Sequence, residues 1–88
     1  MPYRVEVSRA ATRDLRRLPA EIRRRVTPVL RSLADEPRPH RVRKITDEDQ
    51  AYRLRVGAYR VVYEVDDRQE MVVIQRVVRR SEGTYRNL

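Results

Sequence analysis

Arginine and tyrosine alternate with aliphatic residues along residues 51–63, AYRLRVGAYRVVY. Arg53 and Arg55 interleave with Tyr52, Leu54 and Val56, and after Gly57-Ala58 Arg60 stands among Tyr59, Val61 and Tyr63. A guanidinium meets phosphate oxygens through paired N–H donors and stays charged at any biological pH. Several on one face can grip a phosphodiester and stabilise the extra negative charge of its transition state. A tyrosine beside them can stack on a base or move a proton. RNA carries its own nucleophile, the 2′-hydroxyl next to each phosphate. Such a protein can therefore cut RNA without a metal, by aligning that hydroxyl in line with the leaving oxygen. The competing reading of the same alternation is an ordinary exposed sheet face wetted by arginines.

Other chemistries find few residues. There is no cysteine, which excludes a disulfide framework and thiolate metal sites. His40 is the lone histidine and sits in a proline-rich stretch without triad partners, so neither a histidine-built zinc site nor Ser-His-Asp chemistry is expected. Gly57 and Gly83 are the only glycines, too few for a phosphate-cradling loop. Asp47, Glu48 and Asp49 could in principle hold magnesium, but three adjacent acids in a loop are more often simply solvated. Neither metal nor cofactor is expected.

Charge points the same way as the hairpin. Twenty-one basic residues against thirteen acidic ones give a formal net charge of +8 in 88 residues, and all the basic residues except Lys44 are arginine. A small domain this basic attracts polyanions, with nucleic acid the default partner. Its length suits one domain over residues 1–88 with one modest core. The longest apolar run, Met71 to Ile74, cannot span a bilayer, and the opening MPYRVEVSRA lacks the apolar segment of a signal peptide. A cytoplasmic location is expected.

Periodicity supplies the elements that must position the arginines. Residues 3–7 alternate as a half-buried strand, Ser8 offers an N-cap, and Ala11, Leu15 and Leu18 form a narrow helical stripe. Pro19 opens a second helix whose apolar face is Ile22, Val26, Val29, Leu30 and Leu33, with Arg23, Arg24, Arg25 and Arg31 on its polar side. Pro28 removes one hydrogen bond there, yet the stripe keeps its phase beyond it, which predicts one bent helix rather than two. After DEPRPHR and the polar loop TDEDQ, residues 51–57 and 59–65 form a hairpin about Gly57-Ala58. DDRQ turns the chain into a third long strand, EMVVIQRVV.

The order is β-α-α-β-β-β, an α+β fold with an antiparallel sheet and both helices on one face. Tyr52, Leu54, Val56, Tyr59, Val61, Tyr63 and Val65 should face the helices, and Arg53, Arg55, Arg60, Val62 and Glu64 should face away. Residues 71–78 are almost continuously apolar, and periodicity assigns them no face.

This order, together with LRRLPAEIRRRV, YRLRVGAYRVVYEV and the closing VVIQRVVRRSEGTYR, resembles the RelE group of the RelE/ParE toxin superfamily over essentially the whole chain. The hairpin is its most specific part. The resemblance implies a metal-independent endoribonuclease that cuts messenger RNA in the ribosomal A site and is held inactive by a cognate antitoxin. It places the family's basic residues on Arg53, which would grip RNA, on Arg60, which would stabilise the scissile phosphate, and on Arg55. At the position of Arg55 some members carry a lysine proposed as general base. Arginine is a poor base at neutral pH, so Arg55 here would stabilise charge or acidify the 2′-hydroxyl.

In the tail, Arg80 matches the family's catalytic arginine and Tyr85 its base-stacking tyrosine, the latter also a candidate base through a depressed pKa. Arg76 and Arg79 would join Arg53 in binding RNA. The tail departs from the pattern R-V-G-H-R-R-x-x-Y, with Val78 for the glycine, Arg79 for the histidine and a longer spacing to the tyrosine. Two other readings stay open: a ParE-like toxin that inhibits DNA gyrase without cutting RNA, and an inactive RNA-binding relative. An acidic antitoxin bearing an amphipathic helix or strand would complement the helix arginines and the open sheet face in a hetero-oligomer.

Overall fold

The computed structural model describes residues 2–40, 42–45 and 51–79. Strand β1 (Arg4–Val7) leads into helices α1 (Arg9–Arg17) and α2 (Ala20–Ser32), followed by a two-residue strand β2 (Arg43–Lys44) and the long strands β3 (Ala51–Val56), β4 (Tyr59–Asp66) and β5 (Met71–Arg79). They form one sheet in the order β1-β5-β4-β3-β2. The α+β architecture matches the sequence expectation, but the sheet is mixed. β2 to β5 form an antiparallel meander, and β1 joins its far edge parallel to β5, Arg4 to Val7 opposite Met71 to Ile74. The reason lies in β5, whose Val72 and Ile74 are fully buried. A strand this apolar cannot be left at an edge, and β1 covers it. The short β2 was not foreseen either.

Local chemistry explains the helices. Ser8 caps α1, its hydroxyl accepting from the Ala11 N–H at 3.0 Å. Arg23 closes the other end of α1 by donating to the carbonyls of Leu15, Arg16 and Leu18 at 3.0–3.2 Å. α2 runs without a break through Pro28, which faces solvent. Both helices lie on one face of the sheet, and α2 ends beside the start of β1, where the Tyr3 N–H donates to the Ala34 carbonyl at 2.7 Å. Their Ala11, Leu18, Val26, Leu30 and Leu33 pack on Tyr52, Leu54, Val61, Tyr63, Val65, Val72, Ile74 and Val77. Gly57 takes φ +60° at the first turn position of the β3–β4 hairpin, where a side chain would be strained and would also crowd the Arg25 guanidinium.

The proline-rich segment is tied down by a polar network at the end of the sheet away from that hairpin turn. Arg38 grips Asp67 with two donors at 3.1 and 3.0 Å and donates from Nε to the Tyr52 hydroxyl at 2.8 Å. Tyr3 donates to the same carboxylate at 2.6 Å, and the buried Tyr63 hydroxyl donates to the Pro37 carbonyl at 2.7 Å. The guanidinium of Arg38, and after it the Tyr3 hydroxyl, hold the Asp67 carboxyl below the ordinary carboxylate range. Burial, and then the neighbouring Tyr52, push the Tyr63 phenol well above the ordinary tyrosine range.

Candidate functional site

On the face turned away from the helices, the ladder aligns the arginines in two rows. Arg43 stands opposite Arg53, Arg53 opposite Val62, and Val62 opposite Arg76. One row nearer the hairpin turn, Arg55 stands opposite Arg60, and Arg60 opposite Val78. Arg53 and Arg60 are half-buried and Arg55 is exposed. Neighbouring strands lie about 4.8 Å apart, so these guanidinium groups share one patch, and no acid occupies a register position directly opposite them.

Like charges facing each other across a ladder cost stability, which makes the arrangement a poor choice for a merely structural sheet face. The centre of the face is apolar: Val62 and Val78 are 1% and 3% exposed. Val62 was expected to point away from the helices, and it does, but it is buried there rather than wetted.

The strand β5 carries two further expected RNA contacts, and both line one cleft beside α1. Arg76 is bound by the carboxylate of Asp14 on α1, Nε at 2.8 Å and the second contact at 3.2 Å, and the same carboxylate accepts the Val77 N–H at 2.8 Å. Arg79 stands opposite Tyr59, on the helix-facing side, with its guanidinium carbon 6.0 Å from the centre of the Tyr59 ring. With Arg17, Leu18, Tyr59, Arg76, Val77 and Asp14 it lines a cleft of about 210 Å³ beside α1. Arg53, Arg55 and Arg60 are thus brought together, whereas Arg79 lies on the opposite side of the sheet. Arg80 and Tyr85 lie outside the described residues, as do Asp47, Glu48 and Asp49. Among the described residues, no three histidine, aspartate or glutamate side chains converge as a metal site would require.

Asp14 was missed in the sequence. It is only 9% exposed, the one buried charged side chain among the described residues. The signal was its phase: it falls three residues after Ala11 and four before Leu18, on the apolar stripe of α1 rather than its charged side. An acid on that stripe must find a partner inside the fold.

A model of the ParE toxin of type II toxin–antitoxin systems matches residues 5–83. The chain belongs to the RelE/ParE toxin superfamily. It is 40% identical over 88 residues to the toxin RelE of Mycobacterium tuberculosis, an alignment covering 97% of this chain and 88% of that relative. Among solved structures, it resembles a RelBE2 toxin–antitoxin complex from Mycobacterium tuberculosis at TM-score 0.79 and 33% identity, covering 91% of this chain and all of that one. It resembles the archaeal RelE–RelB complex of Pyrococcus horikoshii equally, at TM-score 0.79 and 29% identity over 93% of this chain and 99% of that one. The protein is therefore a RelE-like toxin of a type II toxin–antitoxin system. No helix among the described residues is long and apolar enough to cross a membrane.

Proposed function

We propose that this RelE-like toxin is a metal-independent endoribonuclease that acts in the cytoplasm on messenger RNA in the ribosomal A site and so inhibits translation. The observation that carries the reading is the Arg55–Arg60 pair, set directly opposite each other on β3 and β4 with Arg53 beside them. The 2′-oxygen attacks the adjacent phosphorus and the bond to the 5′-oxygen breaks. The products are a 2′,3′-cyclic phosphate and a 5′-hydroxyl, and the proton lost from the 2′-oxygen is balanced by one gained at the 5′-oxygen. Arg60 stabilises the non-bridging oxygens as charge builds on them. Arg55 stays protonated, so it acidifies the 2′-hydroxyl rather than taking its proton. Arg80 adds charge at the same phosphate, Tyr85 stacks on the base and stands as the proton acceptor, and Arg53 holds the flanking chain.

Arg76 and Arg79 contribute to RNA binding from β5. Arg76 does so with its charge already shared with Asp14, and Arg79 from the rim of the α1 cleft. With no strong base in the set, the ribosome contributes by holding the message in the reactive geometry. A cognate acidic antitoxin silences the toxin in a hetero-oligomer, and the relatives solved as RelB–RelE complexes support that reading.

Purified toxin added to programmed ribosomes should produce new 5′ ends within the A-site codon. One finding favours a second reading: the matching family model is that of the ParE toxin. On that reading the toxin leaves the message intact and inhibits supercoiling by gyrase, and this pair of results would overturn the nuclease assignment.

A further inference from the structure

We propose that Asp14, which stands outside every residue assigned above to RNA, is a positioning residue for cleavage, one that holds the last stretch of β5 in phase; this rests on the nuclease reading. The β4–β5 ladder skips one residue. Tyr63 faces Ile74 and Val62 faces Arg76, so Gln75 has no opposite number on β4. Such bulges re-aim the side chains that follow them. Continued without the skip, the register of Tyr63 and Ile74 would set Arg76 against Val61 in the core and Val77 against Arg60. With it, Val77 is buried, Val78 lies opposite Arg60 and Arg79 opposite Tyr59.

The bulge falls where β5 loses its other neighbour. β1 ends at Val7 opposite Ile74, and from Gln75 onward α1 takes over that edge. The Ser8 hydroxyl donates to the Gln75 carbonyl at 3.0 Å, and two residues further on the Asp14 carboxylate accepts the Val77 N–H. It also holds Nε of Arg76 at 2.8 Å. A buried carboxylate with one backbone and one guanidinium partner on consecutive residues fixes both the height and the rotation of the strand. The residues so fixed, Arg76 to Arg79, run directly into Arg80, which the nuclease reading places at the scissile phosphate. Asp14 therefore acts on the chemistry through β5 without touching RNA.

The test is steady-state A-site cleavage on programmed ribosomes at a temperature where every variant is folded. Asp14→Ala should lower kcat about tenfold or more, the scale expected for a misplaced reacting group. The ribosome concentration giving half-maximal rate should change less than kcat, because Asp14 itself contacts neither message nor ribosome and reaches binding only through Arg76 and Arg79. Asp14→Asn keeps an oxygen for the Val77 N–H but loses the charge for Arg76, and should show a smaller loss of kcat. Leu15→Ala removes packing from the same helix and should keep kcat. Wild-type kcat in Asp14→Ala, or an equal loss in Leu15→Ala, would overturn the proposal. If Asp14→Ala does not fold, wild-type kcat in Asp14→Asn overturns it. Wild-type protein that leaves messages intact on ribosomes overturns the nuclease reading itself, and the proposal with it.

Discussion

Arg38 and Arg60 sit at opposite ends of the same sheet and are used in opposite ways. At the end where β1 begins and β4 turns into β5, Arg38 has a carboxylate on one side and a tyrosine hydroxyl on the other, with the Tyr52 ring 5.3 Å from its guanidinium carbon. At the hairpin end, the position facing Arg60 on β3 is Arg55. The first arrangement anchors a loop, and each charge lowers the energy of the other. The second sets two like charges opposite each other, which repel across the ladder. Twenty arginines in one small chain are thus not one population. Arg38 faces an acid, and the register position facing Arg60 is another arginine.

The largest expected effect separates the two ends directly. Arg60→Ala should reduce single-turnover cleavage on programmed ribosomes by about 100-fold or more, the scale of losing one transition-state donor. Arg38→Ala should leave cleavage per folded molecule near wild type while lowering the thermal midpoint. Equal losses of cleavage in both, at matched folded fraction, would erase the distinction.

A smaller effect sharpens the anchored end alone. Tyr63→Phe removes the hydroxyl that binds the Pro37 carbonyl and should cost about 1 kcal/mol in urea unfolding at neutral pH. Its pH signature has a definite sign. The folded phenol holds its proton more tightly than the ordinary value of about 10, so the unfolded chain ionises first. The stabilisation is therefore complete below about pH 10 and is lost as the pH rises from there towards the folded pKa. The alkaline fall of the urea midpoint should be shallower in Tyr63→Phe than in wild type. Asp67 runs the other way. Its folded pKa is depressed, so its contribution is present above the ordinary carboxylate value of about 4 and disappears as the pH falls through the lower, folded value. Asp67→Asn should flatten that acid limb, and an unchanged limb would mean that Arg38 does not depend on this carboxylate.

What could be read from the sequence followed the same division. Tyr52, Leu54, Val61, Tyr63 and Val65 declared their face because strand alternation is local, and Gly57 declared its turn because only a positive φ closes it cheaply. The stripe of α2 read correctly through Pro28 because helical phase is local too. The parallel pairing of β1 with β5 joins residues 67 positions apart, and nothing in either strand names the other. β5 hid its faces because valines are buried on both sides of it, Val72 and Val77 under the helices and Val78 on the arginine face, and because the skip at Gln75 shifts its period midway. Partners of charged residues were the least legible. Arg38 and Asp67 are 29 residues apart, Asp14 and Arg76 are 62, and composition shows only that charges exist. The hairpin arginines Arg53, Arg55 and Arg60 could be singled out because two short strands and one turn bring them together.

The smallest expected effect bears on the cost assigned to the hairpin end. Arg55 is exposed, so its replacement leaves no cavity. Arg55→Thr puts a good strand former opposite Arg60 and should raise stability by a few tenths of a kcal/mol, up to about 1. Because the repulsion is between charges near the surface, the gain should shrink as salt is raised and the Debye length falls to about 3 Å near 1 M. The same variant should cleave more slowly on ribosomes, so that one substitution moves stability up and activity down. A stability gain that ignores salt would place the effect in strand propensity instead. A variant that loses stability would mean that Arg55 and Arg60 are held apart well enough for their facing positions to cost nothing.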